Sequence, residues 1–143
     1  NKLVIRRDSP ERYVEDTIKY LNEKKYEDAM KCYYFFCLRT RQDVACSSDP
    51  SNSAANNIKI LVLGPLLEKY IDNIKPYQTT EYYLEIAKQV KNNTEQDKLD
   101  DPRWVNKYGM SVFTGETNTM YPQNQWKQIR LQVINDAIDK LSN

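Results

Sequence analysis

Two sets of acids are the first residues with chemistry to offer: Glu81 and Glu85, one helical turn apart, and Asp97, Asp100 and Asp101 within five residues. Paired carboxylates ligate magnesium or trade protons. Neither set stands beside a glycine turn, a suitably spaced lysine or an apolar stretch that would raise a pKa, so solvated charge at helix ends accounts for them. Cys32, Cys37 and Cys46 fall within 15 residues of one another. An odd number without histidine makes neither a zinc set nor a closed disulfide framework, and reduced, buried thiols are expected. The basic residues offer more. Lys2, Arg6, Arg7 and Arg12 give the first 12 residues four positive charges against two negative ones, on a chain whose net charge is only +1. A basic arm of this kind neutralises phosphate, with affinity that falls steeply with salt, and a solvated tail is the competing reading. Arg39, Arg41, Lys107, Lys127 and Arg130 extend the basic surface if the fold brings them to one side. With no recognition motif present, contact with nucleic acid would be to backbone and shape rather than to base edges.

What the chain lacks narrows the chemistry further. Its 143 residues contain no histidine, which removes imidazole-based triads, histidine-ligated metals and neutral-pH histidine switches. Three glycines are too few for a dinucleotide or phosphate-binding loop. The length sets one domain as the default, and no apolar run approaches the roughly 20 residues of a membrane span. Leu3, Val4 and Ile5 are too few for the apolar stretch of a signal peptide, and the sequon Asn92, Asn93, Thr94 reads as a polar helix end. With no initiator Met, the chain is expected to begin inside a longer product or after a cleaved tag, leaving residues 1–9 as a truncated basic arm ahead of a single domain at 10–143.

The elements that must position these residues follow from periodicity. Ser9 and Pro10 open a helix over about 10–24, with Tyr13, Val14, Thr17, Ile18 and Leu21 on one face. A second helix near 26–46 is apolar nearly all round, the mark of a central element. Residues 47–53 are a loop by composition. Residues 54–74 keep a helical phase with Gly64 and Pro65 inside it, giving either one kinked helix or two short ones. Thr79 and Thr80 cap a helix to about 93. Residues 92–120 lose the period and gather large aromatics and two of the three glycines, as a packed functional loop does, with a β-hairpin around 110–120 as the competing possibility. Trp126, Ile129, Val133, Ile134, Ala137, Ile138 and Leu141 form the closing amphipathic helix. The expected fold is all-α, a four- to five-helix bundle with a long aromatic loop before the last helix.

The stretch Lys107, Tyr108, Gly109, Met110, then Phe113, Thr114, Gly115, then Met120 and Tyr121, followed by a helix with Lys127 and Arg130, resembles the segment preceding a helix in major coat proteins of filamentous and rod-shaped archaeal viruses. That resemblance, over some 25 residues, implies a histidine-poor helical bundle whose basic arm and helices wrap double-stranded DNA and whose copies stack into a filament. It places Lys2, Arg6, Arg7 and Arg12 in the DNA-facing arm, and Tyr108, Gly109, Thr114 and Gly115 in the loop before the last helix. The expectation is therefore a non-enzymatic virion subunit without cofactor, metal or small-molecule substrate. It contacts DNA through Lys2, Arg6, Arg7, Arg12, Arg39, Arg41, Lys127 and Arg130, and associates with its own copies. The alternative is a cytoplasmic helical adaptor that holds a partner peptide between its first helices with Tyr20, Tyr26, Tyr33 and Tyr34.

Overall fold

A computed structural model describes residues 9–115 and 119–142 of the chain. Lys2, Arg6 and Arg7 lie outside them. The described residues are all-α: α1 (Pro10–Asn22), α2 (Tyr26–Ala45), α3 (Gly64–Lys69), α4 (Ile71–Ile74), α5 (Thr80–Glu95), α6 (Ser111–Thr114) and α7 (Gln123–Ser142), with 3₁₀ turns at Pro50–Asn56, Lys75–Tyr77 and Pro102–Tyr108. Among them no strand forms; one antiparallel bridge joins Ser47 to Met120. No described helix is long and apolar enough to cross a membrane.

Pro10 occupies the first turn of α1, as its fixed φ favours. The Ser9 side chain makes no capping bond; its carbonyl accepts from the Arg12 amide instead, at 3.0 Å. The chain leaves α1 through Lys24 at φ 59°, where the amides of Lys24 and Lys25 bond to the carbonyls of Leu21 and Tyr20 and so close the helix end. That turn lays α1 on α2. The second helix is central because its apolar residues surround it: Met30, Phe36 and Leu38 are all buried, each worth about 1.5–3 kcal/mol of transfer free energy. Ile86, Ala87 and Val90 of α5 and Ile134 and Ala137 of α7 complete the same core.

The expected third helix is where the count of four to five fails, since it breaks into short pieces. Residues Lys59–Leu63 wind as a π turn immediately before Gly64 and Pro65, and helix continues through that pair. Proline lacks an amide hydrogen and crowds the carbonyl four residues back, and the wider π turn relieves both. The true break falls later, at Tyr70. The aromatic stretch is likewise ordered: Trp104 and Val105, in the 3₁₀ turn Pro102–Tyr108, pack on Ala55. Gly109 lies hard against the buried Asn52; a Cβ there would sit 2.9 Å from both Asn52 Cγ and Ser51 Oγ. The hairpin alternative for 110–120 does not form in the described part; residues 116–118 lie outside it.

Candidate functional site

Arg39, Gln42 and Asp43 share one face of α2, and each has zero exposure. A buried ion is costly unless paired and fully hydrogen-bonded. Here the pairing is thorough. Asp43 Oδ1 accepts from Arg39 Nη1 at 2.9 Å and from Arg130 Nε at 3.0 Å, with Arg130 Nη2 at 2.8 Å. Asp43 Oδ2 accepts from Trp104 Nε1 at 2.7 Å and Arg39 Nη2 at 3.3 Å. Gln42 Oε1 takes Arg39 Nη1 at 3.0 Å, while Gln42 Nε2 donates to Thr94 Oγ1 and to the Arg130 carbonyl, both at 3.0 Å. Arg130 Nη2 also donates to the Asp100 carbonyl. One carboxylate thus joins α2, α7 and the 3₁₀ turn carrying Trp104. With both oxygens engaged by two guanidiniums and an indole, it has no free position for proton transfer, and its work is to hold these elements together.

Above this network lies a cleft of about 400 Å³ between the end of α5 and the start of α7. Arg130 forms part of its floor, with Leu99 and Trp126 among its apolar lining. The acids singled out from sequence, Asp97, Asp100 and Asp101, stand around it together with Lys98 and Lys127. Most of this charge is already matched: Lys127 Nζ lies 3.2 Å from Asp97, and Arg103 Nε 3.4 Å from Asp101, with the Arg103 guanidinium 5.5 Å from the Trp126 ring centroid. Among the described residues, no three Cys, Asp or Glu side chains gather where they would hold a metal ion.

The expected DNA contacts separate in space. Arg12 is exposed on α1, and Arg41 is half-buried, with its charge near the Tyr83 hydroxyl. Lys127 stands at the cleft rim, and Lys107 bonds to Glu11 at 2.9 Å. Arg39 and Arg130 are corrected outright as surface contacts, because both guanidiniums are turned inward onto Asp43 and only 6% of Arg130 is exposed. The missed signal was available: an Arg, a Gln and an Asp on a helix apolar around its circumference must find partners inside.

The cysteines are free and buried. Burial pushes the Cys32 and Cys46 thiols up to about 12 and raises Cys37 as well, leaving all three protonated and unreactive near neutrality. Two of the four resemblance residues hold the loop in place: Tyr108 donates to Glu11 at 3.2 Å and meets Trp104 edge-on, and Gly109 rests on Asn52, whereas a Cβ at Gly115, at φ 73°, would meet open space. No protein-family model, no curated protein and no solved structure matches the chain.

Proposed function

We propose that this chain is a non-enzymatic structural subunit, a viral coat protein that associates with its own copies and holds double-stranded DNA by phosphate contacts. One observation carries the reading. The domain offers large apolar side chains to solvent at Ile60, Leu61 and Val62 and again at Met110, Phe113 and Tyr121, with Phe113 81% exposed. Exposed apolar surface of this kind marks contact with other macromolecules. The resemblance of residues 107–121 to archaeal virus coat proteins supports the same reading. With Arg39 and Arg130 spent internally, DNA contact falls to Lys2, Arg6, Arg7 and Arg12, with Arg41 and Lys127 secondary.

Four phosphate contacts give a log–log salt slope of about −3.6, so affinity for a DNA duplex of any sequence drops about 100-fold between 50 and 200 mM salt. Gel shifts over that range, with electron microscopy of the protein mixed with DNA, test the proposal. Retardation that weakens with salt, together with filaments, supports it. No retardation at low salt and no assembly refutes it.

A further inference from the structure

The cleft between the end of α5 and the start of α7 holds more than the paired charges on its rim. Arg130 lies at its floor, and the three guanidinium nitrogens are not used alike. Nε and Nη2 form a fork onto Asp43 Oδ1 at 3.0 and 2.8 Å, and Nη2 also donates to the Asp100 carbonyl. Nη1 takes no partner among the described residues, yet it is not sealed from solvent. Arg130 is only 6% exposed and lines the cleft, so the surface it retains is the edge that looks into that space. Two N–H donors on an otherwise buried side chain thus face the cleft and call for an acceptor.

Beside it stands one acid with no match. Asp97 and Asp101 are paired with Lys127 and Arg103, whereas the carboxylate of half-buried Asp100 has no partner among the described residues. Because the Asp100 carbonyl accepts from Arg130 Nη2, that carboxylate stands within one residue's breadth of the guanidinium without pairing to it. The Lys98 ammonium and the Gln123 amide, also unpartnered among the described residues, border the same space, and half-buried Leu99 with the edge of Trp126 gives it an apolar wall. A purely anionic ligand would meet the unmatched Asp100, and a purely cationic one would meet Arg130. A zwitterion satisfies both. At about 400 Å³ the cleft falls at the small end of the roughly 300–1,000 Å³ of small-molecule sites.

We infer that this cleft binds a free α-amino acid with an apolar side chain. The ligand's carboxylate accepts from Arg130 Nη1, with Lys98 and Gln123 closing over it from the rim; its ammonium faces Asp100, and its side chain lies on Leu99 and Trp126. The ligand is held rather than transformed. Thr94 carries the one hydroxyl in the lining, and that hydroxyl is spent, donating to the Val90 carbonyl at 2.7 Å and accepting from Gln42 at 3.0 Å. The inference goes beyond the assembly proposal, since it needs neither DNA nor a second copy.

The test is a nuclear magnetic resonance titration of the whole ¹⁵N-labelled chain with L-leucine and L-phenylalanine, beside the amide and the N-acetyl derivative of each and inorganic phosphate. At least one of the two amino acids is expected to shift the amides of Leu99, Asp100 and Gln123 and the Trp126 indole, with a dissociation constant below about 1 mM. Its amide and N-acetyl derivative each lack one charge, and they and phosphate are expected to bind at least about tenfold more weakly. Asp100→Asn removes a side chain that holds nothing in the fold, and it is expected to abolish the preference for the amino acid over its N-acetyl derivative. No shift from either amino acid up to about 10 mM overturns the inference, as do shifts confined to residues away from the cleft. So does phosphate or the N-acetyl derivative binding as tightly as the amino acid, which marks an anion site only. These outcomes are read on the unaltered chain, and an Asp100→Asn variant that keeps the full preference overturns the inference as well.

Discussion

Replacing Asp43 by asparagine isolates the central polar network, because the amide keeps the volume of the carboxylate and removes its charge. Two guanidiniums then stay in the interior, Arg39 at zero exposure and Arg130 at 6%, facing an amide that accepts through one oxygen and sets its NH₂ against a donor. Removing one partner of a buried ion pair costs about 3–5 kcal/mol, a large part of the roughly 5–15 kcal/mol that holds a domain folded. At about 3–4 °C per kcal/mol for a chain of this size, the melting temperature falls by about 10–20 °C. Urea unfolding followed by tryptophan fluorescence and circular dichroism reads the effect, with an unchanged m value certifying that the same surface unfolds. Asp97→Asn is the control. Its partner Lys127 is 47% exposed and Asp97 itself 72%, so that change stays within about 0.5 kcal/mol. Replacing the whole set by Arg39→Met, Asp43→Leu, Trp104→Phe and Arg130→Met recovers most of the loss, since apolar side chains leave no unmet charge. A loss below about 1 kcal/mol for Asp43→Asn at constant m refutes the assignment of this network as a clamp.

Two further outcomes follow from described contacts. Folded Cys32 and Cys46 keep their protons up to about pH 12 while the unfolded thiols release theirs near 9.0, so stability is fully present below pH 9 and is lost as pH rises through 12. At pH 10 each thiol costs about 1.4 kcal/mol, and urea midpoints at pH 7.5 and 10 show a drop that shrinks in the Cys32→Ala, Cys46→Ala variant; an equal drop in both chains refutes the assignment. Gly109→Ala forces a methyl group onto buried Asn52 and costs about 1–3 kcal/mol in the same assay, and a neutral result shows that Asn52 moves aside freely.

The long helices were legible from sequence because their signals are local. Ser9 and Pro10 start α1, the circumferential apolar pattern of residues 26–45 makes α2 central, and the spacing from Trp126 to Leu141 draws α7. What escaped notice depends on partners distant along the chain. Arg39 and Asp43, four apart on a helix apolar around its circumference, call for partners in the interior, but which partners those are is decided only when Trp104 and Arg130 arrive from 61 and 87 positions away. The fate of residues 54–74 turned on how a proline is absorbed. Kinking and breaking were both anticipated at Gly64 and Pro65, but the π turn carries the helix past them and moves the break to Tyr70. The acids at 97–101 were placed correctly at a helix end, while the cleft they surround required the approach of α7, which no local pattern announces.

The distances along the chain that hid the Asp43 network also order its assembly in time. Contacts between α1 and α2 close over a three-residue turn and form early, whereas the carboxylate stays hydrated until two segments far down the chain have docked. Shedding that water belongs on the native side of the folding barrier. Damage to Asp43 therefore speeds unfolding and leaves the folding rate nearly unchanged, so the network acts as a latch on the lifetime of the folded state.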